Sequence, residues 1–326
     1  MKKIIVFGAN GDIGRYFIEY LFDTGINENY QIIASGTKTE YKWEKFENLH
    51  YIQIDISNKK HFEKLPQDDV YAVVDFAGYM PARMEGYDPQ KYIDVNITGT
   101  LNILNYCKNV KADRILFTQS FGDIKDIAEK RLYLTPFDKR EFSLNSDHSV
   151  YVLSKNFAVD LIEHYHQKYG LKNFIFRLPT IYLYSPIENY YVDGIIRKIG
   201  YRILIDKAIK GENIEVWGDP NRKKDMIYVK DLCDMIVKAL FCSRDSGYYN
   251  AGTGVGTTLL EQIQTIIDVF DVNKKCKINF CPEKDNAPQY IMDITNAVNE
   301  LGYKPKYNFK EAMLDFKRYM HSDKKC

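Results

Sequence analysis

The first fourteen residues constrain the fold more than any other part of the chain. Residues 2–7 form a short apolar, β-branched run, and Gly8, Gly11 and Gly14 follow it where a helical pattern begins. In a strand–turn–helix that binds a dinucleotide, the first glycine permits the tight turn and the second lets a pyrophosphate approach the backbone. The third lets the helix pack closely on the strand. The pyrophosphate then lies on the free N–H groups of the helix N-terminus. Spaced glycines alone also fit a plain turn, and the flanking strand and helix favour the binding loop.

Apolar runs alternate with amphipathic segments through the first 182 residues. Strands are predicted at 3–8, 30–35, 50–55, 70–77, 114–119 and 173–182, and helices at 14–24, 58–65, 89–109 and 150–169. Strands that are apolar almost throughout indicate a parallel sheet covered by helices on both faces. The predicted fold is therefore α/β, a Rossmann-type doubly wound parallel sheet with its ligand at the switch point of the strand order.

The alternation is less regular after residue 182. The predicted elements there are a loop at 185–191, strands at 214–217 and 247–251, and helices at 192–210, 231–241, 258–270, 295–301 and 310–319. We expect residues 1–182 to form an NAD(P)-binding Rossmann domain. Residues 183–326 are expected to form mainly a smaller C-terminal α/β substrate-binding domain, with 226–252 returning to the first.

Charge and hydropathy exclude several classes of partner. The 326 residues include 45 basic and 44 acidic side chains, so a net charge of +1 gives no electrostatic basis for binding nucleic acid or an anionic membrane. No apolar run approaches the ~20 residues that cross a bilayer. The N-terminal run is too short for a signal peptide. We expect a cytoplasmic protein with neither partner. The six cysteines form no C-x-x-C pair, and no metal site is expected.

One tyrosine–lysine pair is placed to move a proton. The pattern Y-x-x-x-K occurs at Tyr41/Lys45, Tyr87/Lys91 and Tyr151/Lys155. On a helix, the lysine lies one turn from the phenol, and its ammonium together with a positively charged nicotinamide should lower the phenol pKa from about 10. Only Tyr151 opens a long predicted helix after the fifth strand. A surface tyrosine and lysine on one helix face is the alternative, and we prefer it for the other two pairs.

Taken together, the motifs resemble those of extended short-chain dehydrogenases/reductases in the NAD-dependent epimerase/dehydratase family. The matching residues are Gly8-Ala-Asn-Gly11-Asp-Ile-Gly14, Asp55, Asp75-Phe-Ala77-Gly78, Asn96-Ile-Thr-Gly99, Ser120, Tyr151-x-x-x-Lys155, Arg177-Leu-Pro-Thr-Ile-Tyr182, Lys224-Asp225-Met-Ile-Tyr228, Tyr249-Asn250-Ala-Gly252 and Leu301-Gly302-Tyr303. The resemblance covers nearly the whole chain. It implies hydride transfer on a nucleotide-activated sugar, of the 4-ketoreductase or 4-epimerase type. It also implies a homodimer that packs 89–109 and 150–169 of each subunit together.

The resemblance assigns roles to individual residues. Tyr151 would be the general acid/base, Lys155 would lower its pKa and hold the nicotinamide ribose, and Ser120 would hydrogen-bond the reacting oxygen. The predicted cofactor-binding residues are Gly8, Asn10, Gly11, Asp12, Ile13, Gly14, Ser35, Thr37, Lys38, Asp55, Ile56, Phe76, Ala77, Gly78, Asn96, Tyr151 and Lys155. Two simpler interpretations stay open: Asn96 satisfies a helix kink, and Asp55 caps the end of a strand.

The end of the second predicted strand bears on the choice of cofactor. Sites that prefer NAD usually place an acid there for the ribose 2′-hydroxyl. Here the strand ends without one, and Ser35, Thr37 and Lys38 could hold a 2′-phosphate instead. We therefore favour NADP(H), with NAD(H) as the alternative if Glu40 reaches back to the ribose.

The predicted substrate contacts depart from the family pattern. Lys224 stands where sugar-nucleotide enzymes usually carry an arginine, Thr180 stands where they carry an asparagine, and Arg222 lies beside Lys224. We assign these three residues to the substrate, although the basic run also fits a solvated surface loop. The acid pair of the dehydratases is missing after Thr118, so dehydration is not expected. A long segment between Ser120 and Tyr151 should shape the pocket and act as a lid.

Two other functions remain compatible with the sequence. One is a reductase of a carbonyl substrate without a nucleotide, which the departures at Lys224 and Thr180 favour. The other is a non-catalytic, NADP-sensing protein of the same fold, against which the joint presence of Ser120, Tyr151 and Lys155 argues.

Overall fold

Seven parallel strands form the central sheet of the protein. The structure, a computed structural model, describes residues 1–39 and 46–323. The strands are β1 (Lys3–Phe7), β2 (Gln31–Gly36), β3 (Leu49–Gln53), β4 (Val70–Asp75), β5 (Arg114–Ser120), β6 (Lys172–Leu178) and β7 (Ser246–Asn250). Their order is β7-β6-β5-β4-β1-β2-β3, and every neighbouring pair is parallel. The chain reverses its direction of travel across the sheet between β1 and β4. The predicted doubly wound α/β fold is confirmed.

Helices cover both faces of this sheet. They are α1 (Asp12–Asp23), α2 (Pro89–Lys91, Tyr92–Gly99 and Thr100–Asn109 in succession), α3 (Lys125–Lys130), α4 (His148–Tyr169), α5 (Gly200–Lys210), α6 (Val229–Phe241), α7 (Leu259–Phe270), α8 (Thr295–Leu301) and α9 (Phe309–Asp323). The central strands are buried on both sides, as their apolar sequences require. One core packs the sheet against α1, α6 and α9, and the other packs it against α2 and α4. None of the helices in the described residues is both long and apolar enough to cross a membrane.

The middle of α2 has π-helical hydrogen bonding over Tyr92–Gly99. Such segments are uncommon and often occur at functional sites. Asn96 lies within this segment, and its carbonyl oxygen accepts a hydrogen bond from Thr100 Oγ1 at 2.7 Å. The helix is therefore irregular at Asn96. The side-chain amide of Asn96 takes no part in this helix bond and contacts other segments.

The helix that we predicted at 192–210 is wrong in its first half. Asn189–Val192 and Ile195–Lys198 form an antiparallel hairpin, and the helix begins only at Gly200. Asp193 and Gly194 adopt φ angles of 46° and 81°. An Asp-Gly pair with positive φ at both central residues is a favoured two-residue hairpin turn, and it ends any helix there.

Two further elements differ from the predictions. The strand predicted at 173–182 is split, since Lys172–Leu178 ends before Pro179 and Ile181–Tyr182 pairs instead with Ile227–Tyr228. Proline donates no hydrogen bond and interrupts the ladder. The segment predicted as a helix at 58–65 is a 3₁₀ helix over Lys59–Lys64.

Residues from the second half of the chain complete the sheet. β7 pairs with β6, and α6 packs against α1. Shorter strand pairs lie outside the sheet: Ile214–Trp217 with Ile278–Cys281, Lys223–Lys224 with Thr257–Thr258, and Tyr133–Leu134 with Ile291–Met292. The division into domains at residue 182 stays a prediction.

Candidate active site

The glycine loop after β1 leaves no room for side chains. Gly8 has a φ of +74°, and a Cβ there would lie 2.6 Å from the backbone nitrogen of Ala77. A Cβ on Gly14 would lie 2.3 Å from the carbonyl oxygen of Gly8. Both contacts are far below van der Waals distance, so glycine is required at each position. The loop therefore has the geometry predicted for a pyrophosphate cradle.

The N-terminus of α1 opens directly from this loop. Gly11 precedes the helix and provides no side-chain cap for its first N–H groups. Asp12 begins α1 and accepts a hydrogen bond from Ser185 Oγ at 2.7 Å, and Ile13 lines the cavity described below. Uncapped N–H groups at a helix N-terminus suit a bound phosphate.

The carboxyl end of β2 lies beside the same loop. The Tyr51 hydroxyl donates a hydrogen bond of 2.6 Å to Asn10 Oδ1, and a Cβ on Gly36 would lie 2.1 Å from that oxygen. Ser35 Oγ is buried and has no hydrogen-bond partner among the described residues. Thr37 and Lys38 are exposed. Glu40, the proposed alternative ribose ligand, lies outside the described residues. An orphaned buried hydroxyl and a glycine cradle fit a dinucleotide here.

Asp55 and Ile56 follow the third strand. Asp55 Oδ1 accepts hydrogen bonds from the backbone nitrogen and hydroxyl of Ser57, at 2.9 and 2.7 Å. This is the local capping role that we kept open as an alternative. Ile56 is buried, and a Cβ on Gly99 would lie 2.6 Å from its Cδ1 atom. Their contact with an adenine ring stays a prediction.

Asn96 connects the loop after β4 to helix α4. Its Oδ1 accepts the Tyr79 backbone N–H at 2.7 Å, and its Nδ2 donates to the Tyr79 carbonyl at 3.0 Å and to Ser154 Oγ at 2.9 Å. Two of these bonds hold the Tyr79 backbone, which follows Ala77 and Gly78, and the third holds α4. Asn96 lies in the irregular part of α2, and its support of the site from behind stays a prediction.

The predicted catalytic residues meet in one cavity of about 230 Å³ at the carboxyl edge of the sheet. The residues that line it are Ile13, Phe76, Ala77, Gly78, Tyr79, Met80, Thr118, Gln119, Ser120, Tyr151, Lys155, Leu178, Pro179 and Ile181. Ser120 comes from the end of β5, while Tyr151 and Lys155 come from the first two turns of α4. The cavity lies at the switch point between β1 and β4, where ligands bind in sheets of this kind.

Burial sets the proton affinities in this cavity. It raises the pKa of the Tyr151 phenol, and a hydrogen bond with Ser120 opposes that rise. Burial lowers the pKa of Lys155 to about 8, and the carboxylate of Asp75 opposes this shift. The Lys155 ammonium lies 3.9 Å from the centre of the Phe117 ring. We expected the Lys155 ammonium together with a nicotinamide to lower the phenol pKa. Among the residues of the chain itself, desolvation of the phenol is the largest effect, and it acts in the opposite direction.

The tyrosine–lysine pair at Tyr87 and Lys91 has no such setting. Tyr87 is 43% exposed, and Lys91 instead approaches Asp88 at 3.8 Å. The pair Tyr41/Lys45 lies outside the described residues. A cluster of three metal-ligating side chains does not occur within 1–39 or 46–323.

The model of the NAD dependent epimerase/dehydratase family matches residues 4–252. The chain belongs to this family. Family membership confirms the resemblance drawn from the glycine loop and the tyrosine–lysine pair. It also establishes the chain as a member of a family of NAD-dependent enzymes.

Individual relatives of this epimerase/dehydratase family protein are similar over nearly their full lengths. A putative UDP-glucose 4-epimerase from Methanocaldococcus jannaschii is 29% identical over 318 residues, which cover 95% of each chain. The structure of UDP-glucose 4-epimerase from Thermotoga maritima with UDP-glucose has a TM-score of 0.77 and 22% identity, covering 98% of this chain and 99% of the other. UDP-glucuronic acid 4-epimerase from Bacillus cereus in complex with NAD has a TM-score of 0.74 and 21% identity, covering 98% and 97%. At these identities, the two solved structures show the shared fold.

The three residues assigned to the substrate divide into two groups. Lys224 Nζ donates a hydrogen bond of 3.2 Å to Thr180 Oγ1, so these two residues are in direct contact. Thr180 lies between Pro179 and Ile181, which both line the cavity. Arg222 Nε instead donates to the carbonyl oxygen of Ala287 at 2.5 Å. Their contacts with a substrate stay predictions.

The segment after Ser120 is anchored rather than loose. Arg177 Nε and Nη2 each donate to Asp123 at 3.0 Å, and both side chains are almost fully buried. Arg177 also donates to the carbonyl oxygens of Thr135 and Pro136, at 3.2 and 3.3 Å. Among the described residues, the cavity wall includes none from 121–147. That this segment shapes the substrate pocket and acts as a lid stays a prediction.

Sequence reasoning missed two residues of the site, Asp75 and Gln119. Asp75 matched a family motif. Its electrostatic interaction with Lys155 arises because β4 and β5, which pair with each other, pack against α4. Gln119 was noted only because the dehydratase acids are absent there. Its position directly before Ser120 is the one signal that the sequence offers.

Proposed function

We propose that this chain is an NAD(P)-dependent 4-epimerase of a nucleotide-activated hexose. One observation carries the proposal: Ser120, Tyr151 and Lys155 line a single cavity together with Ala77 and Gly78, and Ala77 packs against Gly8 of the glycine loop. This is the arrangement needed to oxidise and reduce a carbinol next to a dinucleotide. The names of the relatives, UDP-sugar 4-epimerases, support the choice of substrate and of reaction.

The residues of the cavity divide the proton chemistry between them. A nicotinamide held there supplies the hydride acceptor and donor for the substrate carbon. As the hydride leaves C4, the Tyr151 phenolate accepts the proton of the C4 hydroxyl, while the Ser120 hydroxyl donates a hydrogen bond to the same oxygen. The Lys155 ammonium stabilises the phenolate. When the hydride returns to the other face of C4, Tyr151 donates the proton back, so no net oxidation occurs.

The substrate diphosphate belongs on the Lys224–Thr180 pair. Lys224 is held by Thr180 and lies 5.6 Å from the centre of the Tyr290 ring. A lysine binds phosphate as a point charge and lacks the two-pronged geometry of arginine. We therefore expect a weaker and less directional grip than an arginine would give.

The same proposal includes a preference for NADP(H). In the described end of β2, the residues that follow Ser35 are Gly36, Thr37 and Lys38, and none of them is acidic. A carboxylate there would repel a ribose 2′-phosphate, whereas the exposed Lys38 attracts one. The test is the ratio of dissociation constants for NADP⁺ and NAD⁺ in the wild type and in Lys38→Glu. Tighter NADP⁺ binding that reverses in the variant supports the preference, and tighter NAD⁺ binding by the wild type contradicts it.

We also propose a homodimer through helices α2 and α4. Leu153 and Phe157 are 47% and 48% exposed and lie one turn apart on α4, while Ile93 and Leu101 of α2 are more than one-third exposed. Apolar side chains exposed together on neighbouring helices indicate a contact surface.

The activity is tested by incubating the protein with UDP-glucose and either NAD⁺ or NADP⁺. Proton NMR distinguishes UDP-galactose from UDP-glucose directly. Formation of the C4 epimer by the wild type, and its loss in Tyr151→Phe, is the expected result. Consumption of NADPH with a UDP-4-ketohexose, without any epimerisation, would show that the protein is a ketoreductase and not an epimerase. The matched control is Tyr87→Phe, which changes an exposed tyrosine that also has a lysine four residues later.

A further inference from the structure

Gln119 is the second-to-last residue of β5 and is 1% exposed. Its amide group makes two hydrogen bonds in opposite directions. The oxygen Oε1 accepts the backbone N–H of Ser120 at 2.8 Å, and Nε2 donates to Asn156 Oδ1 at 2.7 Å. The side chain therefore bridges the catalytic strand end and helix α4.

The far end of this bridge is next to the catalytic lysine. Asn156 directly follows Lys155, is 5% exposed and lies five residues after Tyr151 on the same helix. Arg140 holds the helix from the other side, since its Nη2 donates to the Asn156 carbonyl at 3.3 Å and its guanidinium forms a two-pronged pair with Asp160. The bridge thus ends on a part of α4 that is itself fixed.

Ser120 needs such support because it lies where the sheet ends. Its last register partner on β6 is Leu178, and a 3₁₀ helix begins at Phe121. Its hydroxyl accepts the Gly122 N–H at 3.1 Å, and Ser120 lines the same cavity as Tyr151. A small rotation of the Ser120 backbone would move this hydroxyl away from the phenol and the reacting oxygen.

We propose that Gln119 is a positioning residue that sets the separation of the Ser120 and Tyr151 hydroxyls through its bridge to Asn156. The inference rests on the proposed function for its kinetic consequence. Misplacing a catalytic group by about 1 Å can reduce turnover by about a hundredfold. Loss of one of several bonds that hold Ser120 should cost less, about tenfold.

A double-mutant cycle separates positioning from a purely structural role. Gln119 accepts its bond from the backbone of Ser120, so Ser120→Ala leaves the bridge intact and removes only the hydroxyl. If Gln119 acts through that hydroxyl, Gln119→Ala reduces kcat about tenfold in the wild type but changes it by less than about twofold in Ser120→Ala. KM stays within about twofold in both cases. An equal loss of kcat in both backgrounds overturns the proposal.

Asn156→Ala breaks the bridge from the helix side and serves if Gln119→Ala does not fold. It should reduce kcat in the same direction and be non-additive with Gln119→Ala, because both remove one hydrogen bond. Additive losses from the two substitutions also overturn the proposal. Thermal unfolding of every variant separates lost activity from lost protein.

A readout without turnover keeps this inference separate from the proposed function. The protein is labelled with 3-fluorotyrosine, and the ¹⁹F signal of Tyr151 is assigned by its absence in Tyr151→Phe. Gln119→Ala should shift the titration of this signal, and should not shift it in the Ser120→Ala background. If the wild type epimerises no UDP-hexose but this pattern is present, the proposed function fails and the bridge stands. An unchanged titration in Gln119→Ala overturns the bridge, whatever the substrate.

Discussion

Asp75 and Lys155 place opposite charges in the same buried part of the site. Each charge opposes the pKa shift that burial causes in the other group. Burial raises the pKa of Asp75 to about 7, and the Lys155 ammonium acts against this rise. Asp75 ends β4, its Oδ1 accepts the Ala77 N–H at 2.9 Å, and its Oδ2 has no partner among the described residues. Lys155 therefore has a buried counter-charge at the end of β4.

This pair predicts a characteristic dependence of stability on pH. Folding raises the pKa of Asp75 from 3.8, so its contribution to stability is present at low pH and is lost as pH rises towards about 7. Folding lowers the pKa of Lys155 from 10.5 to about 8, so its contribution is present at high pH and is lost as pH falls towards 8. Both terms are therefore least favourable between about 7 and 8. Urea unfolding from pH 5 to 9 measures the effect as the difference between the wild type and Asp75→Asn.

The control for that measurement is Asp126→Asn, which removes a carboxylate from the short helix α3, a different part of the chain. Asp75→Asn should remove the fall in unfolding free energy as pH rises from 5 to about 7, while the control variant should keep that fall. A wild type and an Asp75→Asn variant with parallel stability profiles would show that Asp75 is charged throughout this range.

Tyr151→Phe should reduce kcat by at least about a hundredfold, since general acid–base catalysis typically contributes 10²–10⁴. The dissociation constant of the dinucleotide should change little, because the glycine loop and α1 provide most of the cradle. Steady-state kinetics and calorimetric titration with the cofactor give the two numbers. Turnover within about threefold of the wild type would remove Tyr151 from the proton step.

Gly8→Ala should abolish dinucleotide binding. The added Cβ would meet the Ala77 backbone at 2.6 Å, and φ at this position is +74°. Strain of this kind costs about 1–3 kcal/mol, and the displaced loop would also close the cradle. Gly86→Ala is the matched control, because a Cβ there has nothing within 4 Å. Cofactor titration of both proteins checks the prediction, and normal binding by Gly8→Ala would contradict it.

Asp123→Ala should destabilise the protein by about 3–5 kcal/mol, because it leaves the buried Arg177 charge unpaired. Lys130→Ala removes an exposed pair with Glu141 on the same segment and should change stability far less, because water screens exposed ion pairs. Denaturant unfolding of the two variants compares them directly. Equal and small losses would mean that Asp123 does not anchor the segment.

Local signals in the sequence predicted the parts of the site that depend on local geometry. Gly8 and Gly14 act within one turn, and Tyr151 and Lys155 lie one helical turn apart, so their spacing and the strands and helices predicted beside them located these residues. The hairpin at Asp193 and Gly194 also had a local signal, but the apolar pattern on either side was interpreted as helical.

Contacts between distant segments could not be predicted in this way. Asp75 interacts electrostatically with Lys155, 80 positions later, only because β4 and β5 pair beneath α4. Gln119 reaches Asn156 across 37 positions for the same reason. A polar residue at the end of an apolar strand is therefore a sequence signal of a site. Which residue it contacts depends on the order of the strands in the sheet.

In the proposed reaction, a hydride leaves C4 of a nucleotide sugar and returns to the same carbon in this cavity. This reaction is tested most directly by incubating the wild type with UDP-glucose deuterated at C4 and locating the label in the product. We predict UDP-galactose that keeps the deuterium at C4, with none released to water and none formed by Tyr151→Phe. Release of the label to solvent, or inversion at another carbon, would contradict the account.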